Sequence, residues 1–146
     1  MDGREITWDD ETRFDDARRY ATRVWTSKSL KQVKIRPDDA RSWADVEWQD
    51  VTSTGPTWHK VYGRWAARRG TDVIQLNRAY LESGKPLGAD VHRRRVAAHE
   101  LGHALGFCHK SLSHDSLMWE YYSDIKAGKI DGPTPQDIKD YHRLWG

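Results

Sequence analysis

The sequence contains a single cysteine, so no internal disulfide can stabilise the fold. Its formal net charge is only +2, which is too small to indicate nucleic acid as the main partner. No apolar run is long enough to cross a membrane, and no signal-peptide core lies near the N-terminus. Internal repeats and low-complexity linkers are absent from the sequence as well. We therefore expect a globular protein with neither a nucleic-acid nor a membrane partner.

Aromatic residues compensate for a polar composition. Charged residues make up 32% of the chain, and its mean hydropathy is −0.90. Eight tryptophans and six tyrosines offset this polarity, because each can bury a large area. A chain of 146 residues is long enough for one hydrophobic core. We expect a single domain over residues 1–146 and a monomeric protein.

The most specific pattern is the segment H-E-L-G-H-A-L-G-F-C-H at positions 99–109. On a helix, His99 and His103 are four residues apart and project from one face toward a common ion. Gly106 can adopt the left-handed conformation that ends a helix, after which the chain can present His109 as a third ligand. Three protein ligands leave one open position on a tetrahedral zinc ion, as in catalytic zinc sites. The pattern predicts one catalytic Zn²⁺ ion per chain.

Placed at 100° per residue, positions 91–107 around this segment show two different faces of a helix. One face carries His99 and His103. The opposite face is apolar and carries Ala97, Leu101, Ala104 and Leu105. We expect Asp90 to be the N-cap residue and the arginine run at 93–95 to be solvated. A helix of this kind buries one face and turns its histidines toward a cleft.

The same segment resembles the extended zinc signature of the metzincin peptidases, H-E-x-x-H-x-x-G-x-x-H, and in particular that of the matrixins. These families carry a methionine in a tight turn beneath the zinc, and Ser116-Leu117-Met118 resembles the matrixin form of this turn. Residues 135–146 resemble the last matrixin helix, in which Asp137 would connect the helix to the methionine turn. Met118 would form an apolar floor beneath the ion.

The resemblance implies an α+β, metzincin-like (zincin) fold. Such a fold has a mixed twisted sheet of about four to five strands, a backing helix, an active-site helix and a C-terminal helix. It also implies an N-terminal subdomain over about residues 1–106 and a C-terminal one over about 107–146. The residue patterns predict strands at 5–8, 32–36, 44–51, 57–68 and 72–77. They predict a helix at 9–27 and a last helix that begins at Pro135 within residues 135–146. In the last helix Thr134 would cap while Ile138, Tyr141, Leu144 and Trp145 face inward.

The predicted chemistry is hydrolysis of a peptide bond by a zinc-dependent endopeptidase. Zinc lowers the pKa of its bound water and polarises the carbonyl under attack. Glu100, beside the histidine pair, would accept the proton of the zinc-bound water as general base and deliver it to the leaving amine. The expected partner is a peptide or protein substrate.

Substrate binding is expected along an edge strand, since metzincins bind an extended peptide there by backbone pairing. The candidate edge strand covers positions 61–68 and includes Arg64, Trp65 and Ala66. Tyr121 and Tyr122 could line the cleft wall. Astacin-like relatives place a tyrosine two positions after the methionine, but Glu120 occupies that position here.

Two alternatives to a general endopeptidase stay open. One is a zinc-stabilised binding or structural module that keeps the metzincin fold. The other is an intracellular or phage-type regulatory peptidase with one dedicated substrate. Localisation stays open as well, since the family resemblance implies secretion, this chain shows no signal peptide, and an intracellular or phage-encoded protein is the alternative. The sequence assigns no role to Cys108 or His114 and shows no calcium-binding loop.

Overall fold

A computed structural model describes residues 3–120 and 129–146 of the chain. The strands are β1 (Glu5–Asp10), β2 (Lys34–Pro37), β3 (Val46–Val51), β4 (Gly63–Ala66) and β5 (Asp72–Asn77). They form one sheet in the order β2-β1-β3-β5-β4. All neighbouring pairs are parallel except β4 and β5, which are antiparallel. The sheet is mixed and five-stranded, which confirms the predicted α+β fold.

Four helices accompany the sheet in the described residues. They are α1 (Asp15–Trp25), α2 (Arg78–Leu81), α3 (Asp90–Ala104) and α4 (Pro135–Trp145). Helices α1 and α3 pack against each other, and α3 also contacts β4 and β5. The fully buried Trp25 fixes the two helices together, since its indole Nε1 donates a hydrogen bond of 2.7 Å to the carbonyl of Ala98. Within the described ranges, no helix combines the length and apolarity that crossing a membrane requires.

The first helix begins at Asp15 and not at position 9 as predicted. The acidic residues before it belong to β1, where Asp9 and Asp10 pair with β3. The hydroxyl of Thr12 then accepts a hydrogen bond from the backbone N–H of Phe14 and shapes the turn into the helix. Sheet pairing thus overrides the helical pattern that the acidic run indicated.

The start of α3 also differs from the prediction. Ala89 is the N-cap residue and makes no side-chain capping bond, so the prediction that Asp90 is the N-cap was wrong. Asp90 is instead the first helical residue, and its carboxylate pairs with Arg93 and Arg94 one turn later. The acid therefore stabilises the helix through ion pairs within its first turns.

The arginine run on α3 is only partly solvated. Arg95 is buried, and its Nε donates a hydrogen bond of 3.0 Å to the carbonyl of Ile130. Arg93 forms an ion pair of 3.2 Å with Asp16 of α1. The prediction of a solvated run was wrong for these two arginines, because each connects α3 to another part of the chain.

The last helix begins at Pro135, as predicted. Thr134 caps it in a reciprocal capping box, and Pro135 occupies the first turn. Tyr141 is fully buried, and its hydroxyl accepts a hydrogen bond from the backbone N–H of Val33. Leu144 was expected to face inward but is 51% exposed. The helix thus packs on the core through a narrower face than its apolar residues indicated.

Candidate active site

The first two candidate metal ligands lie one turn apart on α3. The Nε2 atoms of His99 and His103 are 3.2 Å apart. On the other side of the helix Ala97, Leu101 and Leu105 are buried, as the two-faced pattern predicted. Burial of that face fixes the rotation of the helix and therefore the direction of both histidines.

The end of α3 brings the third histidine back to the first two. Gly106 has a φ of +94°, a backbone conformation that glycine adopts without strain. Its N–H donates to the carbonyl of His103, and the next N–H, of Phe107, donates to that of Gly102. These two bonds form a Schellman motif. The chain then returns so that Nε2 of His109 lies 3.1 Å from Nε2 of His103.

The protonation of the rings fits a metal ion. Nδ1 of His99 lies 2.8 Å from the carbonyl oxygen of Leu117, and Nδ1 of His103 lies 2.8 Å from that of Phe107. Because a carbonyl oxygen only accepts, both Nδ1 atoms carry hydrogen and the lone pairs lie on Nε2. Burial lowers the pKa of His99 to about 3 and also lowers the pKa of His103, so both rings are neutral.

The three histidines therefore form a donor set that suits zinc. Their ligating nitrogens all lie within 4.8 Å of one another. Neutral imidazole nitrogens are preferred zinc ligands, and three of them match the ligand count of a catalytic site. Without a cation between them, lone pairs this close would repel one another. Among the residues that the structure describes, this is the one group of three potential ligands so closely arranged.

The methionine turn lies directly against the histidine helix. Met118 is fully buried, and its Sδ lies 2.4 Å from where a Cβ on Gly102 would be. Only a glycine at this position of α3 allows such a close approach. The preceding Leu117 supplies the carbonyl that orients His99. The turn therefore packs against the histidine helix at Gly102 and orients the ring of His99.

Asp137 connects α4 to this turn, at the place that the family resemblance implied. Its buried carboxylate accepts hydrogen bonds from the hydroxyl of Ser116 at 2.5 Å and from the backbone N–H of Leu117 at 2.8 Å. It also accepts from the backbone N–H of Thr134 within the capping box. One carboxylate thus holds the start of α4 and the methionine turn together.

Glu100 is a residue of α3, and its side chain extends to the edge strand β4. Its side chain is buried, and Oε2 accepts a hydrogen bond of 2.7 Å from the backbone N–H of Trp65. Burial raises the pKa of Glu100 to about 8, against the opposing effects of that hydrogen bond and of the Arg64 charge. A Cβ on Gly63 would lie 3.1 Å from Oε1 of Glu100, so this glycine leaves room for the carboxylate.

The candidate substrate strand lies at the edge of the sheet, but it is shorter than predicted. β4 covers only Gly63–Ala66 of the candidate strand at 61–68, and Pro56–Trp58, at the start of the segment predicted as a strand at 57–68, forms a 3₁₀ turn. The ring of Trp65 stacks on His103 at a centroid distance of 6.1 Å. Arg64 instead lies over the ring of Trp58, and Ala66 is half-buried. Tyr121 and Tyr122 lie outside the described residues.

Several site contacts were not predicted from the sequence. The carbonyl of Leu117, the close approach at Gly102 and the hydrogen bond from Trp65 depend on tertiary packing, and the carbonyl of Phe107 depends on the turn that ends α3. The glycines at 63 and 102 were the available signals, since glycine within a strand or helix indicates a close approach. His114 lies outside the histidine cluster, and its carbonyl accepts from the indole of Trp119. Cys108 is exposed.

The fold is similar to a solved structure and the sequence to a known family. Archaemetzincin from Methanopyrus kandleri aligns with a TM-score of 0.57 over 96% of this chain and 94% of that chain, at 14% sequence identity. At this identity the likeness shows the fold alone. A search of curated proteins found no match. The sequence model of the family described as Matrixin matches residues 4–146. Because this match extends over almost the entire sequence, the chain belongs to the matrixin family of zinc metallopeptidases.

Proposed function

We propose that this zinc metallopeptidase is an endopeptidase that cleaves bonds inside a peptide or protein substrate, with Glu100 as general base. One observation carries the proposal. The buried Glu100 carboxylate, on the residue next to His99, accepts a hydrogen bond of 2.7 Å from the backbone N–H of Trp65 on the edge strand β4, and the ring of Trp65 stacks on His103. This arrangement supports a site in which metal ligands, an acid–base group and a strand able to bind a peptide act together.

The edge strand supports cleavage within a chain. β4 pairs with β5 on one side, and the N–H of Trp65 is directed away from β5 toward Glu100. An extended peptide can add to such an edge through its main chain, which requires no free terminus. A substrate bound in this way continues in both directions past His103, whose ring stacks on Trp65. This arrangement favours an endopeptidase over an enzyme that removes terminal residues.

Each residue of the site has a defined task in the reaction. His99, His103 and His109 would hold the zinc through Nε2, and the bound ion supplies a water of lowered pKa and a Lewis acid for the carbonyl. Glu100 takes up the proton of the attacking water and delivers it to the leaving amine. Its raised pKa of about 8 suits a group that both accepts and donates a proton near neutral pH. Trp65 orients the Glu100 carboxylate through its backbone N–H.

The proposal is tested with a library of peptides blocked at both termini, so that only internal cleavage yields fragments. Fragments are mapped by mass spectrometry, and the zinc content of each protein sample is measured in parallel. We expect Glu100→Gln, which keeps an acceptor for Trp65, to retain zinc and to lose at least about 100-fold in rate. The control Glu11→Gln changes an exposed glutamate and should cleave as the wild type does.

Two outcomes would contradict the proposal. Undiminished cleavage by Glu100→Gln would exclude Glu100 as the base. A zinc-loaded wild type that cleaves no blocked peptide would exclude a general endopeptidase. It would favour a zinc-stabilised binding module or a peptidase dedicated to one substrate.

A further inference from the structure

The third candidate ligand differs from the first two in how its ring is held. Nδ1 of His99 and Nδ1 of His103 each bond to a backbone carbonyl. Nδ1 of His109 has no hydrogen-bond partner among residues 3–120 and 129–146. His109 is also the most exposed of the three and follows the helix in a loop. Contacts of other residues must therefore hold His109 in place, since its own Nδ1 makes no hydrogen bond within the described ranges.

The next residue, Lys110, is fixed at both its backbone and its side chain. Its N–H donates a hydrogen bond of 2.8 Å to the carbonyl of Met118, and it forms a β-bridge with Trp119. Its ammonium Nζ lies 2.7 Å from Oδ2 of Asp140 on α4. The residue adjoining His109 is thus connected to both the methionine turn and the last helix.

Asp140 is an unusual partner because it is almost completely buried. Its side chain is 4% exposed, whereas that of Lys110 is 31% exposed. Its other oxygen, Oδ1, pairs at 2.6 Å with Arg143, whose side chain is 74% exposed. Burial raises the pKa of Asp140, but Lys110, Gln136 and Arg143 together outweigh burial and lower it overall. Lys110 is therefore the partner that connects this buried carboxylate to the loop of His109.

We propose that the ion pair between Lys110 and Asp140 is a positioning device for His109. Neither side chain belongs to the group of three histidines. The pair restrains the loop so that Nε2 of His109 stays 3.1 Å from that of His103. The ion pair thus orients His109, as the carbonyls of Leu117 and Phe107 orient His99 and His103. This inference rests on the proposed zinc site, and it predicts that breaking the pair weakens zinc binding.

The test measures the dissociation constant for zinc by competition with a chromophoric chelator. The variants are Lys110→Met and Asp140→Asn, with Lys110→Arg as the conservative rescue. Arg143→Ala is the matched control, because it removes the exposed partner of Asp140 and leaves Lys110 in place. We expect Lys110→Met and Asp140→Asn to bind zinc about 10- to 100-fold more weakly, the range for residues that orient metal ligands. Lys110→Arg and Arg143→Ala should remain within about threefold of the wild type.

A second background separates positioning from a general structural role. In a His109→Ala protein the third ligand is gone, so Lys110→Met should no longer change the zinc dissociation constant. An equal loss of affinity with and without His109 would overturn the proposal, and so would wild-type affinity in Lys110→Met. If Asp140→Asn does not fold, the zinc affinity of Lys110→Met still tests the proposal, because in that variant Asp140 keeps Arg143 as its partner. A wild type that binds no zinc would instead refute the proposed zinc site.

Discussion

The metal site has a helical half, which is His99 and His103 on α3, and a loop half, which is His109 and its neighbour Lys110. The ligands of the two halves are held in place by different contacts. His99 and His103 are spaced by the period of α3, and backbone carbonyls orient both rings. His109 lies in the loop after Gly106, where the described residues offer its Nδ1 no such bond. Its position depends on a glycine turn and on contacts of its neighbour Lys110 with Met118 and α4. In the helical half the spacing of the ligands is local and the carbonyl of Leu117 adds one long-range contact, whereas the position of the loop ligand depends on the glycine turn and on contacts of Lys110 with Met118 and α4.

The residue type of a metal ligand and its position in space are thus determined by different features of the chain. A helix with one buried face places two side chains four residues apart almost automatically. A loop has no such period, so its direction depends on what the loop packs against. Substitutions in the helical half should therefore affect the fold and zinc binding together. Substitutions in the loop half should mainly affect zinc binding.

The largest contrast is expected between His99→Ala and His109→Ala. Each removes one of three ligands, so both should weaken zinc binding by more than about 100-fold, beyond the usual loss for a residue that only orients a ligand. Without zinc, His99→Ala should lower the free energy of unfolding by about 2 kcal/mol, because it leaves a cavity and an unpaired Leu117 carbonyl. His109→Ala should change it by less than about 0.5 kcal/mol.

Urea unfolding in the presence of a chelator checks this contrast, and chelator competition gives the affinities. Equal losses of stability in His99→Ala and His109→Ala would contradict the proposed difference between the helical half and the loop half.

The two glycines that flank His103 should give a smaller contrast of the same kind. Gly102→Ala places a methyl group 2.4 Å from Sδ of Met118 and should cost about 1–3 kcal/mol through overpacking. Gly106→Ala meets no heavy atom within 4 Å, so only the φ of +94° opposes it, at about 1 kcal/mol. Urea unfolding of the zinc-free proteins measures both. A larger loss of stability at Gly106 would show that turn strain outweighs packing against the methionine turn.

The smallest effect concerns acid stability in the loop half. The pKa of Asp140 is lowered overall, so its carboxylate stabilises the fold at pH values above the ordinary 3.8. This contribution is lost as the pH falls through the lowered pKa of the folded state. The stability difference between wild type and Asp140→Asn should therefore be full at pH 6 and shrink below about pH 4.

Chemical denaturation of both proteins with a chelator present follows this difference. A difference that stays constant down to pH 3 would exclude the carboxylate charge as its source.

Much of the site could be predicted because its signals are local. The spacing of His99, His103 and His109 and the glycine at 106 determine the ligand set through helix geometry and a known helix ending. The edge position of the strand around Trp65 was also predicted, since its residue pattern and the family resemblance agreed. The ends of β1 and α1 were not, because pairing of Asp9 and Asp10 with β3 is a tertiary contact.

The long-range contacts of single carboxylates were harder to predict. Asp137 was assigned only through the family resemblance, whose matrixin model the chain matches. No sequence motif marks Asp140. Its buried contact with Lys110 forms only when α4 packs beside the loop of His109. Similarly, the hydrogen bond between Trp65 and Glu100 joins residues 35 positions apart, so no spacing rule predicts it.

By itself the sequence determined the reaction class of this protein. Helical spacing, a glycine helix ending and the chemistry of imidazole and carboxylate groups are local properties, and they are sufficient to specify a hydrolytic zinc site. The tertiary structure decided how that site is oriented and held. Carbonyls from the methionine turn, the edge-strand N–H at Glu100 and the buried carboxylates of α4 come from distant parts of the chain. Only packing of the core brings them within hydrogen-bond distance.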